Sequence, residues 1–265
     1  MKVKPKKALG QHFLTDLSIA CRIAATVEEY KDLPLIEVGP GMGVLTRFLI
    51  EQGSGEKLRV CELDSESVEY LDRNFPSLKG KIVEADFLTV PLGELVPGEG
   101  EFCVTGNYPY NISSQIFFRI LDWKDRVRCC SGMLQREVAE RLAAKEGSKT
   151  RGILSVLLQA FFDVEYLFTV SENVFNPPPK VKSGVVKLVR NGVTSLGVDE
   201  ALFRNVVKTS FNQRRKTLRN SLRGMLPPGA DTSSPLWAMR PEQLSVSQFI
   251  ELTSIIENLS KTEGK

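Results

Sequence analysis

The sequence is poor in the residues that ligate metals or form disulfide bonds. Its one histidine, His12, cannot build a metal site by itself, and we predict no bound metal. The five cysteines are an odd number, no Cys-x-x-Cys motif occurs, and Cys129 and Cys130 are too close for an ordinary disulfide. Reduced cysteines that pack as small apolar side chains are typical of a reducing compartment. We therefore expect a cytoplasmic protein.

Long apolar runs are also missing. No segment is long and apolar enough to span a membrane, and the basic N-terminus lacks the apolar core of a signal peptide. We therefore expect no membrane association. A content of 42% hydrophobic and 25% charged residues is ordinary for a globular protein, and 265 residues suggest one large domain, alone or with a smaller one.

The net charge of +3 is unevenly distributed along the chain. Residues 1–10 and 204–223 contain no acid and together carry eleven positive charges, so the remainder carries about −8. Two concentrated basic segments on an acidic protein favour a polyanion such as nucleic acid, although a solvated helix face is the alternative. The basic residues are Lys2, Lys4, Lys6, Lys7, Arg204, Lys208, Arg214, Arg215, Lys216, Arg219 and Arg223.

Strand and helix patterns alternate from about residue 16 to residue 190. Short apolar runs predict strands at 35–38, 58–62, 81–85, 101–105, 129–134, 160–169 and 181–190, with helices at 16–30, 44–53, 65–74, 112–122 and 134–145. This alternation favours an α/β fold with a mostly parallel sheet. Residues 199–259 show only helical periodicity, interrupted by a proline-rich loop. We predict an α/β domain at 1–193 and a small helical domain at 194–265.

A glycine-rich turn, residues 37–43, follows the first predicted strand. Its glycines stand at 39, 41 and 43, whereas the dinucleotide-binding fingerprint requires the third at position 44, where Val44 stands. The preceding acid, Glu37, suits the methionine end of S-adenosylmethionine, because no pyrophosphate is present there to repel it. The turn therefore favours S-adenosylmethionine over NAD.

Two further acids end predicted strands. Glu62 ends the second strand, where a carboxylate can accept hydrogen bonds from both ribose hydroxyls of an adenosine ligand. Asp86 closes the third strand and can accept a hydrogen bond from an adenine amine, or it can simply cap a turn. Both positions are consistent with an adenosine-containing cofactor.

The segment Asn107-Tyr108-Pro109-Tyr110 directly follows the fourth strand and should face the cofactor. An adenine amine is a poor nucleophile because its lone pair is delocalised into the ring. The Asn107 side-chain oxygen and the Tyr108 carbonyl can accept hydrogen bonds from its two N–H groups, while Pro109 stiffens the backbone. Tyr110 offers a ring face to the base, and in-line positioning then supplies much of the catalysis.

A proline-rich segment, residues 174–181, contains a second candidate aromatic residue. Phe175 precedes three prolines that force a rigid, extended loop. We expect its ring to cover the opposite face of the target base. Burial of Phe175 in the core is the alternative.

These motifs, in this order, resemble the KsgA family of rRNA adenine dimethyltransferases. The resemblance is carried by residues 10–14, 37–43, 107–110, 175–181 and 211–220 together with Glu62 and Asp86, and it covers nearly the whole chain. Asn-x-Pro-Tyr alone occurs in many amine methyltransferases, so the specificity comes from the complete set.

The resemblance implies a class I S-adenosylmethionine-dependent methyltransferase fold, which is Rossmann-like, with a small all-α C-terminal domain. It implies N6,N6-dimethylation of two adjacent adenosines near the 3′ end of 16S rRNA in a late small-subunit precursor, and we expect a monomer. By position, the cofactor contacts would be His12, Leu14, Gly39, Glu62, Asp86 and Asn107. The base would contact Asn107, Tyr110 and Phe175, and RNA would contact Arg214, Arg215, Lys216 and Arg219.

Two positions depart from the family pattern. His12 stands where the family usually has Asn, and Tyr108 stands where it usually has Leu. Because the inferred role of position 108 uses the backbone, we expect activity to survive.

Three alternatives remain at this stage. A large-subunit adenine methyltransferase shares the chemistry, but the basic helix at 204–223 favours the small subunit. A DNA adenine methyltransferase shares the tetrapeptide, although no inserted DNA-recognition domain is visible. A non-catalytic assembly factor is disfavoured by the complete cofactor set.

Overall fold

The computed structural model describes residues 3–6 and 9–262, so Lys2 and Lys7 of the N-terminal basic segment lie outside the described residues. The chain divides into two compact units. The first contains the described residues up to Glu140 together with Asp163–Arg190. The second contains Arg141–Phe162 and the described residues from Asn191 onward. The helical unit thus includes an internal segment in addition to the C-terminal residues that the sequence predicted.

The first unit is built on a seven-stranded sheet. Up to Arg190 the elements are β1 (Phe13–Leu14), α1 (Leu17–Ala25), β2 (Leu35–Val38), α2 (Val44–Leu49), β3 (Leu58–Glu62), α3 (Ser65–Asn74), β4 (Ile82–Glu84), α4 (Leu92–Leu95), β5 (Phe102–Asn107), α5 (Ser113–Asp122), β6 (Val127–Gln135), α6 (Arg136–Leu142), α7 (Ile153–Gln159), β7 (Phe162–Val170), β8 (Phe175–Asn176) and β9 (Ser183–Arg190). The strand order is β4-β3-β2-β5-β6-β9-β7.

The central strands place their carboxyl ends at one edge of the sheet. Strands β2 to β6 run parallel, and β9 is antiparallel to β6. Val38 of β2 lies between Cys61 of β3 and Gly106 of β5. The residues that follow these three, Gly39, Glu62 and Asn107, therefore emerge side by side. A ligand-binding crevice is expected at this edge of an open α/β sheet.

Local sequence explains most of these elements. The central strands β2, β3 and β5 are largely apolar and buried on both faces, as parallel strands in the middle of a sheet require. The Asp16 carboxylate caps α1 by accepting hydrogen bonds from Ser18 N at 2.8 Å and Ile19 N at 3.3 Å. The helix predicted at 44–53 begins as α2, continues as a π-helical segment from Ile50, and loses its helical backbone at Gly53, where φ is 99°.

A second, two-stranded sheet joins segments that are far apart in sequence. In it β1 pairs antiparallel with β8, so that Phe13 faces Asn176 and Leu14 faces Phe175. The sequence does not predict this sheet, because strands of two residues are too short to show periodicity.

The second unit contains α7 and three further helices, α8 (Glu200–Asn212), α9 (Leu218–Ser221) and α10 (Val246–Thr262). One face of α8 is apolar and buried, with Phe203, Val206 and Val207 packed inside the unit. Phe211 stacks on Phe249 of α10 with ring centroids 6.0 Å apart. Among the described residues, no helix combines the length and apolar character needed to cross a membrane.

Candidate functional site

A cavity lies at the carboxyl ends of β2, β3, β4 and β5. The turns after these strands form one part of its wall, and the N-terminal segment 9–14 forms another. All six predicted cofactor residues line it, namely His12, Leu14, Gly39, Glu62, Asp86 and Asn107. Tyr108, Pro109 and Tyr110 line it as well. Parallel pairing therefore brings four of these segments together, and the N-terminal segment, which pairs antiparallel with β8, is the fifth.

Glu62 is held in place by the backbone around it. Its Oε1 accepts hydrogen bonds from Leu63 N at 2.9 Å and Asp64 N at 3.0 Å, and its Oε2 accepts one from Gly41 N at 3.0 Å. The residue is 6% exposed, and burial raises the pKa of its carboxyl group. Because a carboxylate oxygen can accept two hydrogen bonds, Oε2 keeps capacity for a ligand hydroxyl.

Asp86 is positioned by the loop that it begins. One carboxylate oxygen accepts a hydrogen bond from Leu88 N at 2.9 Å, so Asp86 does cap a turn, and it also lines the cavity. Arg119 of α5 fixes the same loop by donating to the Leu88 carbonyl at 2.6 Å and to the Val90 carbonyl. The sequence did not indicate these hydrogen bonds from Arg119, because Arg119 lies 33 residues after Asp86.

Glu37 lies beneath the glycine-rich turn. It is buried, and its Oε2 accepts a hydrogen bond from the Thr46 hydroxyl at 2.7 Å. Burial, opposed by the bond from Thr46 and assisted by the nearby charge of Glu62, raises the pKa of Glu37 to about 8. The folded protein therefore keeps a proton on Glu37 at a pH where the unfolded chain has lost it.

This proton makes the stability of the ligand-free protein dependent on pH. Between about pH 5 and 8 Glu37 keeps its proton in the folded state but not in the unfolded state, so its contribution to the free energy of unfolding should fall as the pH rises. Glu37→Gln should flatten this decline, which denaturant titrations at both ends of the range would measure. Glu56→Gln, at an exposed position, is the control and should keep the wild-type slope. An equal slope in Glu37→Gln would contradict the assignment.

The Asn107 side chain is oriented by the N-terminal segment. Its Nδ2 donates a hydrogen bond to the His12 carbonyl at 3.1 Å. A carbonyl oxygen can only accept, so the amide nitrogen must face His12. This leaves Oδ1 as an acceptor for a partner in the cavity, which is the orientation that the predicted role requires.

The Tyr108 side chain points away from the cavity into the core. Its hydroxyl donates to the Ser131 carbonyl at 3.1 Å, and its backbone N–H donates to the Met133 carbonyl at 2.8 Å. The ring lies against Gly106 and Gly132, where added Cβ atoms would approach it to 3.0 and 2.6 Å. Tyr108 thus ties the loop to β6 through its hydroxyl and its backbone N–H.

Tyr110 and His12 form an aromatic pair at the rim. Their ring centroids are 5.4 Å apart with an interplanar angle of 32°. The Tyr110 hydroxyl forms a hydrogen bond with the Ser183 hydroxyl at 2.5 Å. His12 Nδ1 lies 2.8 Å from the Pro177 carbonyl and must donate to it. Because Nδ1 carries the proton, Nε2 of the neutral ring is an acceptor.

The expectation for Phe175 is corrected by the structure. Its side chain is 4% exposed and belongs to the apolar core cluster together with Leu14, its partner in the two-stranded sheet. It is absent from the residues that line the cavity. In this structure Phe175 therefore packs beneath the loop instead of covering a base, because pairing of β8 with β1 turns the ring inward.

A set of polar contacts that the sequence did not predict, here called the polar latch, joins Lys6 and Gln11 of the N-terminal segment to α3 and its N-cap Asp64. Lys6 forms ion pairs with Asp64 and, at 3.1 Å, with Glu66, while Gln11 Nε2 donates to Asp64 Oδ2 at 3.3 Å. Burial alone would raise the pKa of Asp64, but the hydrogen bonds from Lys6, Gln11 and Ser67 hold it below its usual value. One lysine of the basic N-terminal segment is therefore engaged within the protein.

Loss of the latch should weaken cofactor binding. We expect Lys6→Ala to raise the dissociation constant for S-adenosylmethionine by about two- to fivefold, because the N-terminal segment would keep only the Gln11 hydrogen bond to Asp64 and lose its ion pairs. Calorimetry without RNA measures this directly. Lys4→Ala is the matched control, since Lys4 is exposed and lies two residues away. Equal affinities for the two variants would show that the latch does not shape the cavity.

The basic residues of the second unit differ in how they are engaged. Arg214 donates to the Lys149 carbonyl and lies 4.0 Å from Glu242, and Arg219 donates to the Thr232 carbonyl at 2.8 Å. Arg215 and Lys216 are exposed. Arg214 and Arg219 therefore have structural contacts in addition to any contact with RNA.

The sequence resembles those of known rRNA methyltransferases along nearly its whole length. It matches the family model described as ribosomal RNA adenine dimethylase over residues 2–258. It is 65% identical over 264 residues to the ribosomal RNA small subunit methyltransferase A of Parabacteroides distasonis, which covers 99% of this chain and 98% of that protein. The protein of the same name from Porphyromonas gingivalis is 60% identical over 258 residues, covering 97% and 99%.

Solved structures show the same likeness. The chain is similar to a dimethyladenosine transferase from Plasmodium falciparum, with a TM-score of 0.74 and 22% identity over 95% of this chain and 98% of that one. It is also similar to the 23S rRNA methyltransferase ErmE, with a TM-score of 0.65 and 26% identity over 92% and 99%. The predicted class I methyltransferase fold with a helical C-terminal region is confirmed.

Proposed function

Because the chain belongs to the ribosomal RNA adenine dimethylase family, we propose that it dimethylates the N6 amines of two adjacent adenosines near the 3′ end of 16S rRNA. Its substrate is a late precursor of the small ribosomal subunit, and it acts as a monomer. The observation that carries the chemistry is the fixed amide of Asn107, whose Oδ1 is left as an acceptor in the cavity.

The residues of the cavity fit S-adenosylmethionine. Glu62 would bind the ribose hydroxyls, Asp86 the adenine amine, and the turn at Gly39 would let the backbone approach the ligand closely. A Cβ at Gly41 would come within 2.9 Å of the Phe13 ring, so the packing of this turn against Phe13 requires glycine. The cofactor supplies an activated methyl group.

The protein's own groups prepare the nucleophile. Asn107 Oδ1 and the Tyr108 carbonyl accept hydrogen bonds from the two N–H groups of the adenine amine. These bonds favour tetrahedral geometry at the nitrogen. Tyr110, fixed through Ser183, offers its ring to the base. Holding the amine in line for transfer lowers the entropic part of the barrier.

The exposed basic residues of the second unit bind RNA phosphates in this proposal. Replacing Arg215 and Lys216 with alanine should weaken subunit binding and make the slope of log K against log salt shallower by about 1 to 2. Arg214 is left in place because it has structural partners. Lys145→Ala, at an exposed position outside the basic segment, is the control. An unchanged slope would show that these two residues do not contact phosphate.

The decisive test is methyl transfer from labelled S-adenosylmethionine to small subunits that lack the modification, followed by nucleoside analysis and mapping. N6,N6-dimethyladenosine at two adjacent positions is the expected result. Incorporation into large subunits alone would overturn the choice of substrate. Cofactor binding without incorporation into either subunit would overturn the proposed activity.

A further inference from the structure

The proline-rich loop at residues 177–182 is attached at both ends to the rim of the cavity. At its start, the Pro177 carbonyl accepts a hydrogen bond from His12 Nδ1 at 2.8 Å. Directly after its end, the Ser183 hydroxyl bonds to the Tyr110 hydroxyl at 2.5 Å. His12 and Tyr110 both line the cavity. Phe175, which precedes the loop, is buried and does not line the cavity. The two attachments therefore do not serve to hold its ring over a base.

The loop is also stiff. Pro177, Pro178 and Pro179 have fixed φ angles, and Pro179 is buried. Near its end, the Lys182 carbonyl accepts a hydrogen bond from Arg136 N at 3.0 Å. A loop restrained in this way can bind a ligand with little loss of conformational entropy.

The side chains that the loop presents are basic and exposed. Lys180 and Lys182 are both exposed, and Val181 between them is 47% exposed, one of the few large apolar residues so exposed in the described chain. Within the residues that the structure describes, neither lysine takes part in an ion pair. Their charges are therefore not neutralised by a neighbouring carboxylate.

We propose that Lys180 and Lys182 bind the RNA phosphates that flank the target adenosine, an inference that rests on the proposed function. A base that enters the cavity beside Asn107 leaves its own phosphates at the rim, where this loop is attached. The ammonium groups neutralise those phosphates, and Val181 contacts a neighbouring sugar. The attachments to His12 and Tyr110 then keep the phosphate contacts in register with the base.

The test uses the full-length protein and small subunits that lack the modification. Lys180→Ala/Lys182→Ala should raise the KM for subunits by about tenfold. It should also make the slope of log kcat/KM against log salt shallower by about 1. The affinity for S-adenosylmethionine should not change, which also verifies folding. Lys180→Arg/Lys182→Arg should keep near wild-type kinetics, and Lys79→Ala is the control at a distant exposed lysine.

The outcomes distinguish failure of the loop proposal from failure of the proposed function. If the wild-type protein methylates subunits and the double alanine variant matches Lys79→Ala, the loop proposal is overturned while the proposed function stands. A raised KM with an unchanged salt dependence would also overturn it and would indicate contact with a ribosomal protein. If the wild-type protein itself transfers no methyl group, the proposed function fails, and the loop proposal fails with it.

Discussion

Asn107→Ala is expected to reduce kcat for methyl transfer by about two to three orders of magnitude, the effect of deleting one preorganised polar group at a reacting centre. The amide is held by the His12 carbonyl at 3.1 Å, so its oxygen is already directed before RNA binds. Alanine removes the acceptor without altering β5. Subunit binding should stay within about twofold, because phosphate contacts elsewhere supply most of the affinity.

The measurement is single-turnover methyl transfer at saturating S-adenosylmethionine, because Asn107 also lines the part of the cavity assigned to the cofactor. Asn107→Asp is the informative companion, since it keeps an acceptor but loses the N–H that binds the His12 carbonyl. Its activity should lie between those of wild type and Asn107→Ala. An alanine variant that retained more than about a tenth of the wild-type rate would exclude the proposed role.

Gly132→Ala should cause the largest loss of stability, about 3 kcal/mol or more. A Cβ at position 132 would lie 2.5 Å from the Gly106 carbonyl oxygen and 2.6 Å from the Tyr108 ring. Gly106 and Gly132 are register partners in β5 and β6, so neither strand can move without disturbing the other. For a protein of this size the melting temperature should fall by roughly 6–12 °C.

Two variants verify the cause of that loss. Gly93→Ala, at a position where nothing lies within 4 Å of the added Cβ, should melt at or slightly above the wild-type temperature. Tyr108→Leu should partly rescue Gly132→Ala, because it removes the ring but leaves the Gly106 carbonyl in place. If Gly132→Ala melted like the wild type, the Tyr108 ring could not occupy the position described.

Much of the site could be predicted because it depends on local sequence and on the rules of parallel sheets. Residues 35–38 and 58–62 were assigned as strands from their apolar runs, and both are strands. Once the strands are parallel, their carboxyl ends share an edge. The glycine-rich turn, Glu62, Asp86 and Asn107 must then meet there, and all of them line the cavity.

The tertiary structure decided what depends on contacts between distant segments. The sequence did not determine whether the Phe175 ring is buried in the core or faces the cavity. This depends on the pairing of β8 with β1, some 160 residues earlier in the chain. The engagement of Lys6 with Asp64 was hidden for the same reason. Residues 141–162 belong to the helical unit because they pack against its other helices, and apolar periodicity along the chain does not predict such packing.

The sequence by itself therefore determined where the main strands and turns occur along the chain, and with them the class of chemistry. Only the folded chain decided which atoms of those residues face the cavity. Asn107 illustrates the division, since its residue type follows from the motif and its amide orientation from the His12 carbonyl. The physical reason is that apolar periodicity reports burial along a single element, whereas a hydrogen bond between segments depends on the positions of both backbones.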